Sequence, residues 1–151
     1  MGGCSLEIDS DLTLEFNRVR RNKCICADAT EFDFKQYFLD NQYPSRIDYL
    51  SLDIDPASVT FAALKNLPLS DYRFSVITYE HDNYTSGPEF MLESRKLLES
   101  FGYKRVISNV LSCGRDFEDW YVDPSYITSD KYEALVSTKI ECGEIFKKIG
   151  V

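Results

Sequence analysis

The chain has 151 residues, 44% of them hydrophobic and 28% charged, which suits one soluble globular domain able to bury about two thirds of its unfolded surface. A formal net charge of −8 opposes binding to nucleic-acid phosphates or to anionic lipid, and no basic run offsets it. No apolar stretch reaches the ~20 residues of a membrane helix and no signal-peptide layout opens the chain, so a cytoplasmic protein is expected, its five cysteines reduced.

Residues 3–8 read as a short strand ending in acid at Glu7 and Asp9. Ser10 and Asp11 can cap a helix running to about Arg20, with Leu12, Phe16 and Val19 as its buried stripe. Lys23 to Ala27 is a second strand, followed by Asp28-Ala29. Alternation puts Cys24 and Cys26 on one face of it, where they read as small core residues rather than as half of a zinc knuckle. Thr30 or Asp33 opens a short helix carrying Phe34, Tyr37 and Phe38. The next strand, Ile47 to Ile54, is apolar on both faces, which predicts a position in the middle of a sheet covered on each side. Pro56 stops it and starts a helix with Val59, Ala62, Ala63 and Leu64 inward, ending before Pro68.

A fourth strand, Tyr72 to Tyr79, ends in Glu80-His81-Asp82. The polar stretch Asp82 to Gly87 reads as a mobile lid. Pro88 begins a helix to about Phe101 with Met91, Leu92, Leu97 and Leu98 as its apolar set, Arg95 paired to Glu99 one turn on, and Gly102 at C′. Tyr103 to Val110 and Phe117 to Val122 form an antiparallel hairpin that packs Phe117 and Val122, or Trp120, onto a helix rather than lining a substrate entrance, and Asp130 caps a last helix from Lys131 to about Lys148. Strands alternating with helices require parallel pairing and right-handed crossovers, so the expected fold is a single α/β domain with a mostly parallel sheet finished by an antiparallel hairpin.

Acids close four strand ends: Glu7, Asp28, Asp53 with Asp55, and Glu80 with Asp82. The carboxyl ends of an open α/β sheet are where ligands bind. An acid after one strand can accept from both hydroxyls of a ribose, and an acid followed by small Ala29 can accept from an adenine amine beside it. Each acid taken singly is equally a solvated strand end or a helix cap. Asp53, Glu80 and Asp82 are hard oxygen donors that suit a divalent cation. His81, the sole histidine, reads either as a general base or as a neutral hydrogen-bonded side chain.

From Cys4 to about Pro124 the chain resembles the class I S-adenosylmethionine-dependent methyltransferases of the FkbM type. The resemblance rests on Ser5-Leu-Glu7-Ile-Asp9, Asp28-Ala29, Ile47-Asp-Tyr-Leu-Ser-Leu-Asp53-Ile-Asp55, Tyr79-Glu80-His81-Asp82 and Ser100-Phe-Gly102-Tyr103. It implies a Rossmann-like sheet, with Glu7 on the cofactor ribose, Asp28-Ala29 against its adenine, Asp53 near the methionine end, and Glu80 and His81 facing a small-molecule or sugar hydroxyl. The family's central strand usually continues Asp-x-Glu-Gly-x-Glu, whereas here it reads Asp53-Ile-Asp55-Pro56-Ala-Ser58. The family also opens with a strand and a Gly-rich loop, which would precede residue 4, so the domain reads as N-terminally incomplete with its first strand missing.

Two functions follow. One is methyl transfer to a hydroxyl of a small molecule, with His81, Asp53 and Glu80 as the catalytic group, a divalent cation as an option, and self-association open. The other is a non-catalytic module of the same fold that acts by association. The missing strand belongs between residues 3–8 and 47–54, and unpaired buried backbone groups cost about 1–3 kcal/mol each. The sheet is therefore expected to close by pairing 3–8 directly with 47–54, which shifts Glu7 and Asp28 by ~4.8 Å and weakens cofactor binding.

Overall fold

The computed structural model describes residues 4–7 and 23–149. The strands are β1 (Cys4–Glu7), β2 (Lys23–Cys26), β3 (Arg46–Leu52), β4 (Arg73–Glu80), β5 (Lys104–Ser112), β6 (Arg115–Val122) and β7 (Ser137–Thr138). The helices are α1 (Phe34–Asp40), α2 (Ala57–Asn66), α3 (Asn83–Ser86), α4 (Pro88–Ser100), α5 (Ser129–Tyr132) and α6 (Cys142–Ile149). The helix expected over 10–20 lies outside the described residues.

β1 pairs in parallel with β2, and a second sheet has the order β3-β4-β6-β5-β7. β3 and β4 are parallel, β6 runs antiparallel between β4 and β5, and β7 adds in parallel at the far side. The α/β architecture and the closing hairpin are thus as expected. The hairpin turns on Cys113 and Gly114, with φ of 52° and 76°; two positive φ values in a two-residue loop match the right-handed twist of the strands it joins.

The buried centre of the sheet is β4, not β3. Ile77 and Tyr79 of β4 are fully buried, whereas Arg46, Asp48, Tyr49 and Ser51 of β3 are exposed. Among the described residues β3 has a hydrogen-bonded neighbour on one side only, so its apolar pattern is half used.

The expected closure of the sheet does not occur: β1 is bonded to β2, β3 to β4, and no ladder among the described residues joins β1 to β3. The chain after β2 is tied to helix α2 instead. Asn66 Nδ2 donates to the carbonyls of Ala29 (3.1 Å) and Phe32 (2.8 Å), and Ala29, Phe34 and Phe38 share one apolar core with Phe61 and Leu64 of α2. Sliding this unit by a strand spacing would break those contacts, and the reason for expecting a spoiled cofactor site goes with it.

Other elements depart from expectation for local reasons. α1 starts as the Asp33 cap predicts, its carboxylate accepting from Gln36 N at 2.9 Å. The stretch 82–87 is mostly helix α3 rather than a loop. The helix expected over 131–148 is broken: Val136, Ser137 and Thr138 favour extended backbone, β7 forms there, and Lys139 has φ of 54°. Cys26, Cys113 and Cys142 are exposed thiols, so the core reading fails for Cys26. On α4 the buried residues are Met91, Ser94 and Leu98, and Leu92 points outward. Leu98→Ala should therefore cost about 2–5 kcal/mol in urea unfolding and Leu92→Ala less than about 0.5. Equal losses would show that the helix sits in another rotation.

Candidate functional site

The carboxyl ends of β3, β4 and the start of β6 build the rim. Leu52 is the register partner of Tyr79, so Asp53 and Glu80 stand one step beyond on neighbouring parallel strands. Glu80 is in turn the register partner of Glu118 on antiparallel β6. Three carboxylates therefore lie in a row across three strands. Like charges directly opposite each other destabilise a sheet, so such a row is a departure from fold stability that invites a functional reason.

The turn behind Asp53 is held by α2: Thr60 Oγ1 donates to the Ile54 carbonyl and accepts from Ile54 N. The chain beyond Glu80 is held by β6, where the Phe117 carbonyl accepts from His81 N at 2.7 Å and Asp82 N at 3.1 Å. Asp82 then takes the left-handed conformation, φ 45° and ψ 42°, and its carbonyl accepts from Thr85 N and Ser86 N of α3. Its side chain is 7% exposed and Oδ1 has no hydrogen-bond partner.

Electrostatics follow from this crowding. Burial, the hydrogen bond and charge of Asp53, and the charge of Asp82 push the Glu80 carboxyl up to about 9. Burial also raises Glu118, helped by Asp53, although the indole N–H of Trp120 bonds its carboxylate and opposes the rise. Of the two packings expected of the hairpin both occur: Val122 lies in one core with Ile145 of α6, and Phe117 and Trp120 are half-buried against it.

His81 does not stand on the rim. It is 0% exposed, its Nδ1 accepts from Asn83 N at 3.2 Å, and Nε2 faces Asp119 Oδ1 at 3.5 Å, too far for a hydrogen bond. Asp119, also 0% exposed, escapes the sequence reading, which takes the aromatic-acid run 117–122 as packing in preference to a substrate entrance. Its carboxylate accepts from Arg95 Nε at 2.6 Å, from an Arg95 terminal nitrogen at 2.9 Å and from Asn109 N at 2.8 Å. Arg95 thus pairs with Asp119 rather than Glu99, which Arg105 takes at 3.2 Å. Burial alone raises an acid, but His81 facing it at 3.5 Å and the bonds from Arg95 and Asn109 N outweigh it and hold Asp119 well below the usual carboxylate range. The only prior hint was an acid alternating with Phe117 and Tyr121 in a strand that otherwise packs inward.

Glu7 closes β1, opposite Cys26 of β2, two residues before Asp28. Asp28 is exposed and accepts from Thr30 N (2.8 Å) and Thr30 Oγ1 (2.7 Å) through Oδ1, which lowers its pKa; among the described residues Oδ2 is left without a bond. Ala29 is buried beside it. A free carboxylate acceptor next to a small side chain fits an adenine amine, as S-adenosylmethionine requires. The divalent cation is not supported: no group of three His, Cys, Asp or Glu side chains among the described residues is disposed to hold a metal.

The fold is similar to that of the S. pombe Dnmt2 methyltransferase. The TM-score is 0.55 at 17% identity, over 79% of this chain and 40% of that one. What is shared at that identity is the Rossmann-like fold. No family model and no curated protein matches the sequence. Among the described residues no helix is long and apolar enough to cross a membrane.

Two consequences are measurable. Asp119→Ala leaves the half-buried Arg95 guanidinium without its carboxylate and should cost about 3 kcal/mol in urea unfolding, whereas Asp119→Leu with Arg95→Met should cost clearly less. Native Glu80 keeps its proton to about 9, while an unfolded glutamate loses it near ~4.3. Between those values the native state binds the extra proton, so its stability falls as pH rises. Glu80→Gln should remove that fall and flatten the curve between about pH 5 and 9. An unchanged slope would put Glu80 in the ordinary range.

Proposed function

We propose that this chain is the greater part of an S-adenosylmethionine-dependent methyltransferase domain of the FkbM type, acting on a hydroxyl of a small molecule or sugar. The observation that carries this reading is the row Asp53, Glu80 and Glu118 at the ligand-binding edge of a methyltransferase-like sheet. Glu7 and Asp28-Ala29 would hold the ribose and adenine, with Asp53 toward the methionine end. When bound, S-adenosylmethionine supplies an electrophilic methyl group whose carbon–sulfur bond breaks toward sulfur.

The chain's own part is to align the acceptor and take its proton. Glu80 is the base in this reading. Its raised pKa lies closer to that of a hydroxyl than an ordinary carboxylate does, and Asp53 shares its proton. His81 is assigned a positioning role instead, because burial turns both of its nitrogens inward. The net charge of −8 favours a small-molecule partner over nucleic acid or an anionic membrane, in the cytoplasm. The side of β3 that has no neighbour among the described residues favours a second reading, a non-catalytic module that adds a strand from another copy or chain there.

Calorimetric titration with S-adenosylmethionine and S-adenosylhomocysteine separates the two. Micromolar binding to the chain or to a longer product containing it is expected, and no binding to either leaves the associating module. Methyl transfer should rise with pH toward about 9 as Glu80 ionises, and Asp53→Asn should move that limb to lower pH. A limb unmoved by Asp53→Asn and retained in Glu80→Gln would remove Glu80 as the base.

A further inference from the structure

His81 is buried, titratable and outside the chemistry assigned to the rim. It is 0% exposed, and among the described residues its Nε2 has no hydrogen-bond partner, standing 3.5 Å from Asp119 Oδ1. Its Nδ1 accepts from Asn83 N at 3.2 Å. A ring nitrogen that accepts carries no proton, so the imidazole in this arrangement is neutral. Asn83 opens α3, the short helix that follows directly on the carboxyl end of β4. α3 is tied to β6 as well, nearer the surface. Asn83 Nδ2 donates to Asp116 Oδ2 at 2.6 Å, and the Tyr84 ring, 47% exposed, has the Arg115 guanidinium 5.7 Å from its centre. The tie to His81 is the buried one, and it rests on a single lone pair.

We propose that His81 is an acid-sensitive latch on α3: a proton on Nδ1 ends the bond from Asn83 N and frees the helix to lift from the rim. The added proton turns the acceptor into a donor, and two N–H groups held 3.2 Å apart oppose each other. It also gives the ring a positive charge, which Nε2 can bring across the 3.5 Å gap to the Asp119 carboxylate. The first change costs α3 its inner tie, and the second gives the ring a place to go. Protons therefore favour the released state, which accepts one without setting donor against donor. The consequence is access. α3 stands at the carboxyl end of β4, where ligands of such a sheet enter, so the rim is covered at neutral pH and uncovered in mild acid.

The groups around the ring set the balance. Asp119 and Glu118 of β6 favour the imidazolium, as do Glu80 and Asp82 beside it in the chain whenever they are ionised. Full burial opposes it, and so do the guanidiniums that share Asp119, Arg95 of α4 at 2.6 Å and Arg105 of β5 at 3.9 Å. Tyr121 donates to Asp119 at 3.2 Å and stays neutral, its phenol pushed up by burial. None of this rests on the methyltransferase reading.

The test is NMR on the whole chain, following the His81 ring carbons and the amides of Asn83 to Ser86 from about pH 8 to about pH 5. The Asn83 amide should shift with the midpoint of the imidazole. Its hydrogen exchange, corrected for the intrinsic rate, should quicken by about fivefold or more as the ring protonates. His81→Asn sets an amide oxygen where Nδ1 accepts and cannot titrate, so α3 should stay held and the dependence should vanish. The wild-type measurement decides alone if that variant does not fold. An Asn83 amide indifferent to the ring's titration, a ring that stays neutral until acid unfolds the chain, or a dependence that survives in His81→Asn would overturn the latch. So would a midpoint shared with the Glu80 carboxyl and not with the imidazole, which would give the effect to the rim acids.

Discussion

The ion pair between Asp119 and Arg95 is the constraint on which the functional end of the molecule depends. A carboxylate at 0% exposure is tolerable only if its charge and its lone pairs are met, and here four elements meet them. Arg95 comes from α4, Asn109 N from an irregularity in β5, Tyr121 O–H from β6 itself at 3.2 Å, and His81 from the chain just beyond β4. Asn109 shows how closely the backbone is fitted. It stands at φ 54°, where β5 shifts register against β6, so that its N–H reaches Asp119 while its side chain accepts from Arg95 at 2.7 Å. These bonds fix the distance between β4 and the hairpin, and so the row of acids that crosses them.

The same sheet then supports two electrostatic regimes a few residues apart. Asp119 is depressed by donors that outweigh burial, while Glu80 is raised by burial and by like charges that nothing in the fold neutralises. Asp119 supports stability above the ordinary aspartate range and gives it up as acid protonates it; Glu80 opposes stability as pH rises toward 9. The structure thus satisfies one acid fully inside the scaffold and leaves its neighbours on the rim without a cation among the described residues.

Much of the fold could be read from the chain because its punctuation is local. Pro56 and Pro88, the Asp33 cap, Gly102 at φ 82° and the two-residue turn at Cys113-Gly114 each act within a few residues, and each lies where expected. What could not be read depended on neighbours distant in sequence. Arg95 has Glu99 one turn away, yet it reaches Asp119 on another element, where desolvation makes the pair far more demanding. His81 reads equally as a base or as a hydrogen-bonded strand-end side chain, and only the distant Asp119, with Asn83, turns it inward. The helix expected after Asp130 gave way to β7 because β5 offered Ser137 and Thr138 a ladder.

The acid series at the strand ends was legible as a series, and the structure joins part of it: Asp53, Glu80 and Asp82 interact, with Glu118 added from a strand that sequence alone had assigned to packing. An NMR titration of the Glu80 side-chain carboxyl carbon reads this directly. A midpoint near 9 that moves clearly downward in Asp53→Asn is expected. A midpoint near the ordinary glutamate value of ~4.3, indifferent to Asp53, would contradict a rim of crowded, uncompensated acids.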